Sequence, residues 1–476
     1  MKSIITKNLL TFKELEKKIY KASCELATLT MQEILEEYDH DLMISRDKAQ
    51  YRHKGYRQTS AKTVFGEVTI RRAIYETRDE DGISRFVYLL DDAVGLVDGI
   101  GLLSENLLEK IVVGITSKSY RDCAKEISET TGQSISAMGV WNAVQAAGER
   151  VVEEEARLVE LHEKGHLVGE KTVGVLFEET DGVNVRLQGR DRVRSRTGKA
   201  EMKVAIAYDG WAEEGSNRYR LDSKVVFAGF MKSKAFHKVR EAKIARVYNT
   251  DEAQYRILNG DGADWIKKVP DKDTLFQLDV FHRNKAIKEY LHDPEMQDGI
   301  RDCLRKKDIE GVFKLLQIYE DSVETEADAQ DVRKLVEYFR NNREGLIPYS
   351  ERGLDLPESP EGLVYRNMGT MENHIWSIIA KRMKHNHCSW SKKGANRLAK
   401  ILAKKCEGKL DEVICGINLP VFAEKEIEET IETVFSAAKT PFRAGCGYEY
   451  PDRGSVVMIN EAVRGDGAKL FAIAGY

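Results

Sequence analysis

Proline is scarce in this chain, with 8 in 476 residues, so a Pro-rich linker or a largely extended chain is excluded. No stretch of 18 or more apolar residues occurs, which leaves no sequence candidate for a membrane-spanning helix. The opening Met-Lys-Ser-Ile-Ile-Thr-Lys-Asn has no uninterrupted apolar core of signal-peptide length, so a cytoplasmic location is expected. Neither charge sign dominates: the net charge is −4 and the pI about 6.3, which argues against a wholly basic nucleic-acid coat but not against local patches. Cysteine is sparse and unpatterned. The seven, at Cys24, Cys123, Cys303, Cys388, Cys406, Cys415 and Cys446, are odd in number and form no CxxC pair, so they read as reduced thiols rather than a disulfide framework or zinc ribbon.

What is present is a folded globular composition, 42% apolar and 32% charged, long enough for two to four domains. Residues 1–50 show a helical period carried by Leu15, Ile19, Leu26, Leu29, Ile34 and Leu35. Residues 51–98 alternate apolar and polar positions around a turn at Asp81-Gly82 and predict a small β-hairpin module. Residues 99–165 return to helix. Within them the segment from Ser119 to Gln145 has a helix–turn–helix layout in which Gly132 ends the first helix and Ser134 or Ser136 caps the second. Such a layout suits a DNA-reading unit and equally an ordinary helical hairpin, and the second helix is poor in Arg and Lys. From Lys171 three strands follow in sequence, then strands separated by helices around Tyr255–Gly260 and Thr274–Leu278. Residues 289–364 predict a charged helical insertion, and residues 406–476 a helix and tail.

Three acids stand at the expected edges of these elements: Asp181 in Phe-Glu-Glu-Thr-Asp-Gly, Asp261 in Asn-Gly-Asp-Gly-Ala-Asp-Trp, and Glu372 in Gly-Thr-Met-Glu-Asn-His. One Asp-Gly pair is ordinarily a turn. Two of them after apolar strands, with a glutamate farther on, form a set suited to divalent cations, because Mg²⁺ takes hard oxygen ligands and a few carboxylates suffice. Asp279 also ends a predicted strand and stands three residues before His282, so the second acid is Asp261 or, alternatively, Asp279, with His282 in support. Two basic runs flank the acids. Seven Lys and Arg lie between Arg186 and Lys203, and nine between Lys381 and Lys405 with no acid among them. Arg190, Arg192, Arg194, Arg196, Lys381, Arg382, Lys384, Lys392, Lys393 and Arg397 are therefore candidate phosphate contacts, and Trp390 a candidate platform for an unpaired base. The spacing of His385, His387 and Cys388 fits no zinc site.

Together, Thr-Asp-Gly, Gly-Asp-Gly-Ala-Asp-Trp-Ile, Leu-Asp-Val-Phe-His-Arg-Asn-Lys, Met-Glu-Asn-His-Ile and Trp-Ser-Lys-Lys-Gly-Ala resemble the DDE-type bacterial insertion-sequence transposases. More narrowly they resemble a family catalogued as uncharacterised transposase-like proteins of Gram-positive bacteria. The similarity runs from about residue 50 to 405, and Asp279-Val-Phe-His282 fits the Asp/Cys-x-x-His motif that related transposases carry.

The resemblance implies a mixed α/β fold: a ribonuclease H-like mixed sheet in 166–288 and 365–405, interrupted by the helical insertion and preceded by the β module and helical region. It implies Asp181, Asp261 and Glu372 as ligands of Mg²⁺ or Mn²⁺, two ions in all, and strand cleavage and transfer of 3′-hydroxyl ends. The implied partners are double-stranded DNA, as terminal inverted repeats and target, with a homodimer or larger assembly on the DNA, nucleoid-associated when bound. The competing expectation is a DNA-binding protein of transposase ancestry whose acids are structural.

Overall fold

In this computed structural model the described residues are 10–78, 82–96, 102–267, 274–385, 387–414, 422 and 424–439. Asp81, Cys415, Cys446 and the tail beyond 439 lie outside them. The chain divides into two compact units, residues 1–143 with 414–476, and residues 144–413.

In the first unit, α1 (Phe12–Ser45) opens with a capping box in which the Thr11 side chain and Glu14 satisfy each other's backbone amides, as S/T-x-x-E sequences favour. Leu15 and Ile19, which carry the start of the expected helical period, are 44% and 58% exposed. The helix buries its apolar side only from Cys24 onward, where it runs beside β2 and accepts the Arg71 and Ala73 amides on Glu36 and Asp39. The hairpin of β1 (Arg52–Thr63) and β2 (Gly66–Arg78) is extended by β3 (Ser84–Val87) and, after α2 (Leu89–Val94), by β4 (Leu102–Leu103), giving the order β3-β2-β1-β4. Leu35, Ala61, Val68, Ile70, Leu90 and Leu102 form its core.

Helices α3 (Glu105–Ile115) and α4 (Tyr120–Thr130) lead into the long α5 (Ala137–Glu163). The Ser136 hydroxyl accepts the Gly139 amide at 3.1 Å, so of the two expected caps Ser136 is the one used. Gly132 is required for close approach: a Cβ there would lie 1.9 Å from the Phe65 carbonyl oxygen.

The second unit is built on a five-stranded sheet of β5 (Val175–Arg186), β6 (Lys199–Tyr208), β9 (Val225–Gly229), β10 (Tyr255–Gly260) and β11 (Thr274–Leu278), in the order β11-β10-β5-β6-β9. The short α6 (Gly189–Arg194) lies between β5 and β6, and β7 (Trp211–Gly215) with β8 (Arg218–Leu221) between β6 and β9. β5, β6 and β9 form an antiparallel meander, whereas β10 runs parallel to both β5 and β11. The parallel steps need crossovers, supplied by α7 (Ser233–Ala245) after β9 and α8 (Asp264–Lys267) after β10. The fold is mixed α/β, as expected.

Helix α9 (Val280–Tyr290) leaves β11 and is followed by α10 (Pro294–Arg305), α11 (Ile309–Ser322) and α12 (Glu326–Asn341). These pack about their own core of Ile300, Leu304, Val312, Leu316, Val332, Leu335 and Phe339. The chain returns through β12 (Leu363–Val364), which joins β7 and β8 in a small antiparallel sheet the sequence reading did not anticipate. It then enters α13 (Met371–Ile375), a π-helical turn (Trp376–Ala380) and α14 (Lys381–Met383), followed by α15 (Lys392–Glu407), α16 (Asp411–Ile414) and α17 (Glu424–Lys439).

Candidate metal and nucleic-acid site

Asp181 lies within β5, not at its end. The strand runs through the Asp-Gly pair because β6 stays in register beyond it, with Asp181 opposite Val204 and Gly182 opposite Lys203. The expected strand break at Asp181-Gly182 is therefore corrected. Asp261 follows β10 directly, Asp279 and His282 open α9, and Glu372 is the second residue of α13. Parallel pairing of β5, β10 and β11 brings these elements side by side, and one small cavity of about 20 Å³ is lined by Asp181, Asp261, Asp279, His282 and Glu372. That volume is enough for one water-sized occupant.

Within this group one carboxylate oxygen each of Asp181 and Glu372 and one ring nitrogen of His282 lie within 4.8 Å of one another. His282 Nε2 is 3.6 Å from Asp181 Oδ2. The Asp181 hydrogen bond raises the imidazole pKa above its ordinary value; burial opposes this, and the charges of Asp181, Asp279 and Asp261 add to it. Burial pushes the Asp261 carboxyl up, the Ala263 amide pulls it back, and the Asp181 charge raises it again.

Asp261 and Asp279 differ in what their oxygens already do. Both oxygens of Asp279 are committed, Oδ1 to the His282 amide at 3.1 Å as the cap of α9 and Oδ2 to Asn259 Nδ2 at 2.9 Å. Asp261 gives Oδ1 to the Ala263 amide at 2.8 Å. His282 therefore meets Asp279 through its backbone and Asp181 through its ring.

The sequence reading missed Glu179. It is fully buried on β5, two residues before Asp181 and so on the same face of the strand. Its carboxylate accepts from the Tyr208 hydroxyl at 2.7 Å, Asn259 Nδ2 at 3.2 Å, the amides of Gly369, Thr370 and Met371 at 3.1, 2.9 and 3.2 Å, and the Thr370 hydroxyl at 2.8 Å. Burial pushes its pKa up, yet the two side-chain hydroxyls, the amide and the three backbone groups all donate, an arrangement that suits a carboxylate. Asn259 also accepts from Gln277 Nε2 at 3.1 Å, so a polar rung crosses β5, β10 and β11 in register. The signal in the sequence was the pair Glu178-Glu179 inside an apolar strand, since adjacent strand residues face opposite sides and both must find partners. On the opposite side Glu178 meets Arg240 at 3.4 Å and Arg256 at 2.7 Å, and Glu241 joins the same buried cluster.

The two basic runs are joined. Trp390 donates its amide to the Arg186 carbonyl at 3.0 Å and accepts from the Gln188 amide at 2.8 Å, and the Lys392 amide reaches Asp191 Oδ2 at 2.8 Å. Arg190, Arg192, Arg194, Arg196, Lys381, Lys384, Lys392 and Lys393 are all exposed. Three expected contacts are corrected. Trp390 is 7% exposed, with Nε1 donating to the Met383 carbonyl at 2.9 Å, so its ring is not open to a base. Arg382 is buried with its guanidinium 5.1 Å from that indole ring. Arg397 is held by Glu149 and lies 3.4 Å from Gln145 Oε1.

A family profile described as Uncharacterised protein family (UPF0236) matches residues 5–414. The chain belongs to this family. UPF0236 relatives include a protein of Caldanaerobacter subterraneus subsp. tengcongensis whose name joins eleven locus designations; it is 27% identical over 454 residues, covering 90% of this chain and 87% of its own length. Another from the same organism joins four designations at 27% identity, covering 88% of this chain and 85% of its own length. A UPF0236 protein named for the vanSb 3′ region of Streptococcus gallolyticus is 22% identical over 403 residues, covering 83% of each chain. No helix among the described residues of this UPF0236 member is long and apolar enough to cross a membrane.

Proposed function

We propose that this chain is a DDE-type DNA transposase that cuts the ends of its element and transfers 3′-hydroxyl strands to target DNA. The observation that carries the reading is the convergence of Asp181, His282 and Glu372 from three separate elements to within 4.8 Å, with Asp261 lining the same cavity. The sheet supports it as well. A three-stranded antiparallel meander followed by two parallel strands on the far side of its first strand is the topology of the ribonuclease H-like fold that the resemblance implies. One relative carrying eleven locus designations in a single organism is what an element that copies itself would leave behind.

The donor set fits a hard divalent cation: carboxylate oxygens and one imidazole nitrogen at a water-sized cavity. Asp181, Glu372 and Asp261 are the residues that would hold Mg²⁺ or Mn²⁺, with His282 beside them. Such an ion, when bound there, would help activate the attacking hydroxyl or stabilise the leaving oxygen of an in-line phosphodiester displacement, and a second ion would have to enter with the DNA. Asp279 caps α9 and so aims His282 at Asp181. The exposed arginines and lysines on the joined basic runs hold the DNA backbone beside the acids, and the first unit carries the end recognition. Because transposition handles two DNA ends, the active species is a dimer or larger on DNA, in the cytoplasm and nucleoid.

The test is a cleavage and strand-transfer assay with Mg²⁺ or Mn²⁺ on duplexes copied from the DNA flanking the gene. Asp181→Asn and Glu372→Gln are expected to abolish product while leaving duplex binding intact. If both variants cut like the parent, the catalytic assignment fails. If the parent binds these duplexes but never cuts them, the protein is a silent DNA-binding descendant.

A further inference from the structure

We propose that Glu179 is a positioning residue: it fixes Glu372 against Asp181 by capping, from a strand 191 residues away in sequence, the helix that carries Glu372. The inference rests on the transposase reading of the acidic site and names a residue outside the acidic triad.

Helix α13 opens a helical run that continues unbroken to Met383, and it has no cap of its own, since Thr370 makes no side-chain capping bond within the helix. The amides of Gly369 and Thr370, which lead into α13, and of Met371, its first residue, converge on the Glu179 carboxylate, and the Thr370 hydroxyl adds a fourth donor. A carboxylate at a helix N-terminus satisfies free N–H groups and is favoured by the helix dipole. Here it also sets distance. Glu372 follows Met371 directly, and Asp181 stands two residues beyond Glu179 on the same strand face, so both acids are referenced to one side chain. Tyr208 at 2.7 Å and Asn259 at 3.2 Å fix the carboxylate from β6 and β10. Asn259 holds Asp279 in turn, and through it the start of α9 and His282. A displacement of about 1 Å in such a site costs on the order of 100-fold in rate.

Glu179→Gln keeps the shape of the side chain but turns one acceptor oxygen into a donor facing donors. Two readouts separate positioning from simple loss of stability. The first is the affinity of the full-length protein for Mn²⁺ without DNA, followed by the paramagnetic resonance of the free ion. The second is hydrogen exchange at the amides of residues 369–371. Val312→Ala, in the core of the helical insertion, serves as a control that weakens the fold away from the acids.

Glu179→Gln is expected to weaken Mn²⁺ binding at least tenfold and to speed exchange at those three amides, whereas Val312→Ala changes neither. Glu179→Asp, which keeps the charge but shortens the reach, is expected to fall between. Equal Mn²⁺ affinity in Glu179→Gln and Val312→Ala, or unchanged exchange at residues 369–371, overturns the proposal. A parent protein that binds no Mn²⁺ sinks the metal reading instead, and the anchor is then decided by the exchange alone.

Discussion

Removing the four arginines around α6, as Arg190→Ala, Arg192→Ala, Arg194→Ala and Arg196→Ala together, tests whether this surface meets the DNA backbone. All four are exposed, so their loss should leave the fold unchanged; surface substitutions of this kind typically cost within about 0.5 kcal/mol each. If each arginine neutralises one phosphate, the slope of log K against log salt falls in magnitude by about 0.9 per residue, or roughly 3.6 for the set. Over a fourfold rise in salt that is on the order of a 100-fold smaller loss of affinity. Fluorescence anisotropy with a labelled duplex from the gene's flank, titrated between 50 and 200 mM salt, measures it directly. Trp390→Ala provides the contrast. Its buried indole fills the joint between the two basic runs, so truncation should cost about 3–5 kcal/mol of stability and act on DNA only through unfolding. A quadruple variant with the parental slope, or a folded Trp390→Ala protein that alone loses DNA affinity, would refute the assignment of this face.

Three further outcomes are expected. Mn²⁺ at about 100 times its dissociation constant should stabilise the protein by roughly 2.7 kcal/mol, seen as a higher melting temperature in a thermal scan, and Asp181→Asn should erase the shift. Asp261→Asn should fold normally and lose cleavage, whereas Asp279→Asn, which keeps one acceptor but disturbs the α9 cap and Asn259, should melt earlier by an amount worth about 1 kcal/mol; equal melting of the two would argue against their separate roles. Burial would raise the Glu241 carboxyl, but Arg240 and Arg256 hold it at about 2, against an ordinary glutamate value of 4.5. Because this pKa is depressed in the folded state, its contribution of about 3 kcal/mol is present above pH 4.5 and lost as pH falls toward 2. Urea unfolding at pH 6 and pH 3 measures it, and Glu241→Gln should flatten the difference.

The order of the five main strands was readable because each is an apolar run bounded by polar, turn-prone residues. The small sheet was not. β7 and β8, Trp-Ala-Glu-Glu-Gly and Arg-Tyr-Arg-Leu, are short and polar and look like the turns around them. Asp181-Gly182 read as a turn because the pairing that carries β5 through it is supplied by β6, and local sequence holds no trace of that register. Trp390 read as exposed because its neighbours are basic, yet the backbone pairing with Arg186 and Gln188 folds the indole inward. Glu179 was illegible for a different reason: its role depends on amides almost two hundred positions downstream. Leu15 and Ile19 show the converse, a clean helical period whose first turns lie beyond the part of α1 that buries its apolar side.

The π-helical turn at Trp376–Ala380 sits just after α13 and holds one more residue than an α-helical turn of the same rise. An α-helix advances about 100° per residue. Deleting the exposed Ser377 would let this turn close as ordinary α-helix over nearly the same rotation and rise, so Glu372 on one side and the buried Ile378, Ile379 and Met383 on the other would keep their relative places. The turn is therefore the one place in this helix where a single lost codon would spare the site, whereas a residue lost between Asn373 and Ile375, where no extra residue is held, would turn Glu372 by about 100° away from Asp181.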